Sequence, residues 1–390
     1  MNPASDRLSQ WLAEAQAKRS AASLQRNRIE LSQRSAGKAR AGGRDLVNFS
    51  GNDYLGLATE PALVEALAEA AREHGVGSGA SALVSGYNSL HARLEQSLAD
   101  HLGTEAALLF PSGYHANLAV QTSLASKGDF IVQDRLCHAS LIDGARLSGA
   151  RLLRYPHCDI KGLERQLELA DGGQVLVVSD GVFSMDGDIA PLAGIADCCT
   201  HHNACLVVDD AHGTGVLGHG GRGSFEHLGV PVARIPVLIG TLGKAFGISG
   251  AYVAGSAALI DHLVNHARTY LYTTAMPPPL AAAGLKALEI IQKEVARRDA
   301  LQRRIGQFRK GAAARGLKLL ESETPIQALV IGQASAALET SQRLREQGFL
   351  VVAIRPPTVP DGTARLRITL SAAHTGLQVE GLLGALEQCL

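Results

Sequence analysis

The sequence predicts an α/β fold with a mostly parallel central sheet, helices on both of its faces, and a smaller α+β domain at the carboxyl end. Short apolar runs alternate with helical segments between residues 106 and 255, which is typical of strands buried on both faces. The pattern changes after residue 280, where a long helical stretch precedes further apolar runs. The chain has 390 residues, 46% of them hydrophobic, which suffices for one large domain and a smaller one.

The amino-terminal elements follow from helical spacing and helix-end signals. Leu8, Trp11 and Leu12 recur at helical spacing, so a helix is expected over residues 5–30 within an amino-terminal helical arm of residues 1–50. A second helix begins at Pro61 and ends at Gly75. The large domain is predicted over residues 51–285 and the small domain over residues 286–390.

The apolar runs give the strands. Seven are expected in the large domain: AALLF (106–110), DFIVQD (129–134), RLLRY (151–155), QVLVVSD (174–180), ACLVVDD (204–210), PVLIG (236–240) and AYVAG (251–255). In the small domain a helical stretch runs to residue 315. It is followed by four candidate strands and a terminal helix, the strands being KLLES, IQALVIG, FLVVAI and ARLRITLS.

Composition excludes several partner classes. The chain carries 37 basic and 37 acidic residues, whereas nucleic acids and anionic membranes are bound by an excess of Lys and Arg. No stretch reaches the roughly 18 apolar residues that span a bilayer, and the amino terminus lacks the apolar core of a signal peptide. We therefore expect a cytoplasmic protein with a small-molecule ligand, bound to neither nucleic acid nor membrane.

The six cysteines form no CxxC pair and are expected to be reduced thiols. The segment CCTHHNAC (198–205) contains an adjacent pair of cysteines, an adjacent pair of histidines and a third cysteine. Neighbouring residues point in divergent directions on a helix or a strand, whereas zinc ligands must converge. The segment is therefore interpreted as the end of a helix that begins near Pro191, and no metal site is predicted.

Polar side chains follow five of the predicted strands, and ligands of open α/β sheets lie beyond the carboxyl ends of the strands. We therefore expect these side chains to gather into one site: Ser112, Gly113 and Tyr114, then His138, then Ser184, then Asp209 and His212, then Thr241 and Lys244. Ser112, Gly113 and Tyr114 open a helix whose N–H groups suit a phosphate.

This set of groups matches the needs of pyridoxal 5′-phosphate (PLP). Its aldehyde forms a Schiff base with a lysine, its ring nitrogen needs a carboxylate to stay protonated, and its phosphate needs N–H and hydroxyl donors. The glycine-rich segments GHGGRG (218–223) and GVGSGAS (75–81) do not open a helix directly after the first strand of a βαβ unit. A nicotinamide cofactor is therefore not favoured.

Longer motifs carry a family resemblance. The chain resembles the α-oxoamine synthases, a family of fold-type I PLP-dependent transferases, from about residue 24 to the carboxyl end. The motifs are NFSGNDYLGL (48–57), GSGASALVSGY (77–87), HASLIDGARLS (138–148), DGVFSMDGD (180–188), VDDAHGTGVLG (208–218), GTLGKAFGISG (240–250), YTTAMPP (272–278) and RPPTVPDGTARLRITLSAAH (355–374).

The resemblance implies a role for each cofactor-binding residue. Lys244 would hold the PLP aldehyde and later move the amino acid's α-proton, and Asp209 would pair with the ring nitrogen. His138 would stack on the ring, while His212 and Ser184 would lie near its polar groups. The phosphate would be bound by Ser112, Gly113, Tyr114 and Thr241 of one subunit and by Thr273 or Thr274 of its partner. The resemblance therefore implies a homodimer with shared active sites.

Substrate contacts are implied in the same way. Asn52 and Arg367 would bind the amino acid's carboxylate, because a guanidinium offers a bidentate fork. Arg355 and Thr358, in RPPTVP, would contact the acyl chain. An amino-terminal arginine is also expected to contact the substrate, and either Arg26 or Arg28 could be that residue.

Within the family, RPPTVP resembles the branch that condenses L-alanine with a pimeloyl thioester, with loss of CO2. The acyl carrier, coenzyme A or an acyl carrier protein, stays open. Two alternatives also stay open: a relative that uses glycine, and a catalytically silent partner subunit of this fold. The presence of Lys244 argues against the second.

Overall fold

The computed structural model describes residues 3–390. Its central sheet has seven strands, each of which overlaps a predicted apolar run: β4 Ala106–Phe110, β5 Phe130–Asp134, β6 Arg151–Tyr155, β7 Val175–Asp180, β8 Cys205–Asp209, β9 Val237–Thr241 and β10 Ala251–Gly255. Their order across the sheet is β4-β10-β9-β8-β7-β5-β6. β10 is antiparallel to β4 and β9, and the other pairings are parallel.

Both faces of this sheet are buried. Val177 and Val208 belong to one apolar cluster, whereas their chain neighbours Val178 and Val207 belong to a second. Successive side chains of a strand point to opposite faces, so the two clusters are the two sides of the sheet. The absence of a solvated face is the reason that these strands read as continuous apolar runs.

The described helices cover both faces and connect the strands. They are α1 Pro3–Ala21, α2 Pro61–His74, α3 Ser89–Leu102, α4 Gly113–Leu124, α5 Ala139–Ser148, α6 Ile160–Leu167, α7 Leu192–His201, α8 Ser224–His227, α9 Ala257–His266, α10 Arg268–Leu271, α11 Pro278–Lys293, α12 Val295–Ala314, α13 Ala334–Glu346 and α14 Gly376–Cys389. Asn88 and Thr375 begin α3 and α14 with capping boxes, and α7 begins after Pro191, as expected. None of the helices in this part of the chain combines the length and apolarity of a membrane crossing.

The amino-terminal segment differs from the predicted helical arm. Its helix ends at Ala21, not near residue 30, and three strands follow: β1 Gln33–Ser35, β2 Lys38–Ala41 and β3 Arg44–Asn48. A two-residue strand from the carboxyl-terminal region, β12 (Phe349–Leu350), pairs in parallel with β3. The strands were missed because β1 is exposed along its length and carries no apolar run.

The carboxyl-terminal region is α+β, as predicted, but two strand predictions need correction. KLLES forms no strand and contributes only an isolated bridge between Leu319 and Leu329. FLVVAI is divided: β12 joins the amino-terminal sheet, and β13 (Val352–Ile354) joins an antiparallel sheet of order β11-β14-β13. The remaining strands are β11 Ile326–Gly332 and β14 Ala364–Thr369.

Candidate active site

Lys244 lies in the short loop between β9 and β10. Thr241 donates through its hydroxyl to the Gly250 carbonyl (3.0 Å), and the Gly247 N–H donates to the Lys244 carbonyl (2.9 Å). Gly247 has φ +73°, and a Cβ there would lie 2.5 Å from the backbone of Leu57 and Ala58. Only glycine fits this approach, which explains one of the small residues around the lysine.

The Lys244 amine is electrostatically unusual. Burial lowers its pKa to about 8, against the opposing influence of Asp209 and Asp180. Within residues 3–390 no hydrogen bond or ion pair to a protein group engages the amine. A neutral, unpaired amine is a nucleophile and a base, which is the chemistry expected of this residue.

Asp209 is the last residue of β8, and its carboxylate is held on both sides. Asn117, on α4, donates to Oδ2 at 2.7 Å, and the Ala211 N–H donates to Oδ1 at 3.0 Å. Asp180 ends β7 in register with Asp209, and burial together with the Asp209 charge raises the pKa of Asp180 well above its ordinary value. The fixed carboxylate of Asp209 suits a cationic ring nitrogen.

Both predicted histidines lie beside these groups. His138 begins α5, its Nδ1 lies 2.7 Å from the Ser140 hydroxyl, and its N–H donates to Asp180 Oδ2 at 2.9 Å. His212 Nδ1 shares a 2.6 Å hydrogen bond with the Tyr54 hydroxyl. Burial lowers the pKa of both imidazoles. The two rings are therefore neutral at physiological pH, as a stacking or hydrogen-bonding role requires.

Arg367 and Asn52 meet across a sequence separation of more than 300 residues. Both terminal nitrogens of the Arg367 guanidinium donate to Asn52 Oδ1 at 3.2 Å, and Nε donates to the Ser184 carbonyl at 2.6 Å. Arg367 is buried, and its charge lowers the pKa of both Lys244 and His212. Asn52 and Lys244 also line one cleft of about 410 Å³, so the residue that accepts from the Arg367 guanidinium shares a cleft with the amine.

The start of α4 offers free donors. Ser112 caps the helix by accepting from the His115 N–H at 3.3 Å. The N–H groups of Gly113 and Tyr114 have no protein acceptor among the described residues, and a Cβ on Gly113 would meet open space. The Tyr114 hydroxyl donates to Asp143 at 2.7 Å, so Tyr114 offers its backbone rather than its side chain. Free N–H groups at a helix start bind anions, so the start of α4 is suited to a phosphate group.

Thr273 and Thr274 line a different cavity from the start of α4. They line a small cavity with Phe110, Pro111 and other residues, and neither Ser112 nor Lys244 is among its walls. Within residues 3–390 no hydrogen bond engages either threonine hydroxyl. Within the described chain, no hydrogen bond therefore joins these two residues to the rest of the phosphate-binding set.

The predicted acyl-chain residues cluster where the amino-terminal segment crosses RPPTVP. Arg355 donates to the backbone carbonyls of Ser23 and Gln25, and Arg26 donates to the Thr358 hydroxyl at 3.4 Å. Burial and the nearby Arg26 charge lower the pKa of Arg355. Arg28 makes no such contact. No ion pair joins Arg355 to the nearby Asp361 among the described residues.

A larger cleft, of about 820 Å³, extends from Thr358 to His138. We call it the His138 cleft. It is lined by His138, Ser184, Asp186, Thr358 and Arg365, among others. Its size suits an extended acyl chain, and it lies between the predicted ring-stacking histidine and the RPPTVP segment.

Sequence reasoning missed two residues of the site. Asn117 fixes Asp209, and Tyr54 bridges His212 to Asn52, whose Oδ1 it approaches to 3.2 Å. Tyr54 stands inside the motif NFSGNDYLGL, and Asn117 lies in α4, so neither residue directly follows a strand. A buried polar residue on the sheet-facing side of α4 is the signal that could have found Asn117.

The residues present fit PLP. A buried amine, a fixed carboxylate, two neutral imidazoles and unpaired N–H groups at a helix start match the aldehyde, ring nitrogen, ring surface and phosphate, respectively. Lys244, Asp209, His138 and Arg367 are close enough that the charge of one shifts the pKa of another. These four residues of one chain therefore lie close together, and a single site that also includes the other strand-end residues stays a prediction.

The chain resembles known proteins over nearly its full length. Residues 44–386 match the model of the aminotransferase class I and II family. The chain is 53% identical over 384 residues to the 8-amino-7-oxononanoate synthase of Alkalilimnicola ehrlichii, covering 98% of each chain.

Solved structures of similar proteins have the same fold. The serine palmitoyltransferase from S. paucimobilis, solved with bound PLP-myriocin, superimposes with a TM-score of 0.93 at 30% identity, covering 98% of this chain and 97% of that one. The 8-amino-7-oxononanoate synthase of Francisella tularensis gives 0.77 at 32% identity, covering 88% and 97%. The predicted fold is thereby confirmed, and the chain belongs to the aminotransferase class I and II family.

Proposed function

We propose that the chain catalyses the PLP-dependent condensation of L-alanine with a pimeloyl thioester, releasing CO2 and the carrier thiol and giving 8-amino-7-oxononanoate for biotin synthesis. The observation that carries the proposal is the buried Lys244 amine, with its pKa of about 8, which shares one cleft with Asn52, the hydrogen-bond partner of Arg367. The relatives at more than 50% identity support the choice of reaction within the family.

The chain uses PLP, which when bound supplies an electron sink for a carbanion beside the amino group. Lys244 would hold the PLP aldehyde, and Asp209 would keep the ring nitrogen protonated. Lys244 would also take the α-proton of alanine, because its lowered pKa leaves part of the amine neutral at physiological pH. His138 and His212 would pack against the ring as neutral groups.

Arg367 would bind the alanine carboxylate. Its Nε is taken by the Ser184 carbonyl, so the guanidinium is fixed with both terminal nitrogens toward Asn52. A carboxylate placed there could replace Asn52 Oδ1 as the acceptor and gain two charge-assisted hydrogen bonds. The acyl thioester would approach through the His138 cleft, with Arg355, Arg26 and Thr358 near the far end of the chain.

The test is a CO2-release assay with carboxyl-labelled L-alanine, glycine or L-serine and a panel of acyl thioesters. We expect release with alanine and pimeloyl thioester, and little with glycine or serine. The coenzyme A and acyl-carrier-protein forms of the donor are separate arms of the assay. Release with glycine but not with alanine would overturn the proposal in favour of a glycine-using enzyme. The absence of cofactor absorbance would favour a silent subunit.

We also propose that two copies of the chain form the working unit, each supplying Thr273 and Thr274 to the other's phosphate site. The hydroxyls have no partner within the described chain, and exposed apolar side chains surround their loop: Val76, Leu83, Val84, Tyr87 and Tyr272. The loop and the segment of residues 76–87 are joined, since the Ala275 N–H donates to the Ala80 carbonyl at 3.0 Å. Such an exposed apolar surface suits a second copy.

A further inference from the structure

A row of charged side chains joins the carboxyl ends of β6, β5 and β7 beside the active site. His157, just after β6, lies between two carboxylates. Its Nδ1 is 3.0 Å from Oδ1 of Asp134, at the end of β5, and its Nε2 is 2.7 Å from Oδ2 of Asp188, in the loop after β7. None of these residues belongs to the site assigned above.

His157 is held as an imidazolium. Burial lowers its pKa, but the hydrogen bonds to Asp134 and Asp188 outweigh that and raise it to about 12. Asp134 is itself buried and also accepts from the N–H groups of Leu136 and Cys158, at 2.7 and 2.8 Å. With both ring nitrogens protonated, no lone pair remains for a metal ion, although carboxylate and thiol groups lie nearby.

The loop held by Asp188 reaches the active site. Residues 183–188 form a closed turn: the Phe183 N–H donates to the Asp188 carbonyl (3.0 Å), and the Gly187 N–H donates to the Phe183 carbonyl (2.8 Å). The His157 ring packs edge-on against Phe183, with 4.4 Å between ring centroids. His157 therefore fixes this turn through both an ionic and an aromatic contact.

On its other side, the turn contacts β14. The Ser184 carbonyl accepts the Nε of Arg367 at 2.6 Å, and Asp186 pairs with Arg365. A guanidinium has one Nε, and the direction of that bond sets the plane of the fork. The position of the turn thus determines where the two remaining Arg367 nitrogens point.

We propose that His157 is a positioning residue for amino-acid binding: held between Asp134 and Asp188, it fixes the 183–188 turn, whose Ser184 carbonyl aims the Arg367 fork at the substrate carboxylate. The inference rests on the proposed function in taking that carboxylate to be the one of alanine. It adds a residue that touches neither substrate nor cofactor but acts through the backbone of its neighbour.

The experiment measures L-alanine binding to PLP-loaded protein from the change in cofactor absorbance, which requires no thioester. His157→Gln keeps a polar side chain but removes the charge. We expect it to weaken alanine binding about tenfold while leaving the dissociation constant of PLP within about twofold of wild type. His227→Gln is the matched control: His227 also pairs with a carboxylate, Glu323 at 3.0 Å, and should leave alanine binding unchanged.

A double-mutant cycle separates positioning from a general loss of structure. If His157 acts through Arg367, His157→Gln should add little to the defect of Arg367→Lys. Fully additive effects, or unchanged alanine binding in His157→Gln, would overturn the proposal. Asp188→Asn tests the same link from the other side and replaces His157→Gln if that variant fails to fold.

Failure of the proposed function would look different. In that case wild-type protein would release no CO2 from alanine and pimeloyl thioester, while the binding cycle would still report whether His157 orients Arg367 toward an amino-acid carboxylate.

Discussion

At the scale of single residues, burial makes Lys244 reactive. An exposed lysine has a pKa near 10.4 and is almost fully protonated at physiological pH. Burial of Lys244 lowers this to about 8, and the carboxylate of Asp209 limits the fall. The charged form is therefore still populated, but a useful fraction of neutral amine exists at the pH of the cell.

This shift predicts how PLP capture depends on pH. The rate at which apoprotein binds PLP covalently should rise about tenfold per pH unit and level off near pH 8, because only the neutral amine reacts. Asp209→Asn should move the inflection to lower pH, since the carboxylate raises the pKa of Lys244. Stopped-flow absorbance measures both, with a free lysine derivative as the control for PLP ionisation. An inflection near the ordinary lysine value would show that the amine is not desolvated.

Arg355 yields a second prediction at this scale. If it reads the terminal carboxylate of the pimeloyl chain, Arg355→Ala should lower kcat/KM for pimeloyl thioester about ten- to a hundredfold. The loss should shrink for heptanoyl thioester, which lacks that carboxylate, and alanine binding should be unchanged. Equal losses for both thioesters would mean that Arg355 only ties down the carbonyls of Ser23 and Gln25.

Two arginines of the amino-terminal segment provide a second variant and a control for this experiment. Arg26 donates to Thr358, whereas no hydrogen bond joins Arg28 to the RPPTVP segment. Arg26→Ala should therefore share part of the Arg355 phenotype, and Arg28→Ala is the matched control. A larger effect from Arg28 would assign the amino-terminal role to it instead.

At the scale of elements, burial decided which parts of the fold the sequence could predict. β4 to β10 are buried on both faces, so their apolar runs are continuous and visible. β1 to β3 are short and mostly exposed or half-buried, so no apolar pattern marks them. FLVVAI reads as one strand, yet Val351 separates two strands that belong to different sheets, a division that depends on partners distant in sequence.

His374 links two of these elements and predicts a pH-dependent stability. Its Nδ1 accepts the Ser371 N–H (3.1 Å), its Nε2 bonds the Asn48 carbonyl at the end of β3 (3.1 Å), and its ring packs on Phe49. Burial, partly opposed by the bond to Asn48, lowers its pKa from 6.5 to about 4. The folded state thus resists protonation more than the unfolded chain does.

The direction of the pH effect on stability follows from the difference in the pKa of His374 between the folded and unfolded states. The unfolded chain binds the proton more tightly, so the contribution of His374 is complete above about pH 6.5 and is lost as the pH falls toward 4. The free energy of unfolding should decrease by about 3 kcal/mol over this interval on account of this residue. Denaturant titrations at several pH values measure the change. His374→Asn should flatten the slope, whereas a variant of the surface residue His201 should not. An unchanged slope in His374→Asn would assign the acid sensitivity to other buried histidines.

At the scale of the whole molecule, the sequence could predict only those site residues that the sheet topology brings together at the ends of neighbouring strands. Parallel strands end at one edge, so residues just past the strands of the sheet converge, and Asp209, His212 and Lys244 were found in this way. Asn117, Tyr54 and His157 act across distances in the chain that no motif spacing encodes. Thr273 and Thr274 are a further case, because the groups they are proposed to contact belong to another copy.

That proposal leads to a test with hybrid dimers. Lys244→Ala and a Thr273→Ala/Thr274→Ala double variant should each have little activity alone. If the threonines act in the partner's site, a mixed dimer contains one site with both defects and one with neither. Co-refolding equal amounts should therefore restore about a quarter of wild-type activity, since half of the dimers are mixed and each has one intact site.

The controls exclude other sources of recovery. Each variant refolded alone sets the baseline, and the Lys244→Ala protein refolded with itself shows that refolding does not create activity. If the threonines serve their own chain, every site of the mixture carries one of the defects, and activity stays at the average of the two variants. Because the two arrangements differ only in which chain supplies the hydroxyls, recovery above that average requires a site built from two subunits.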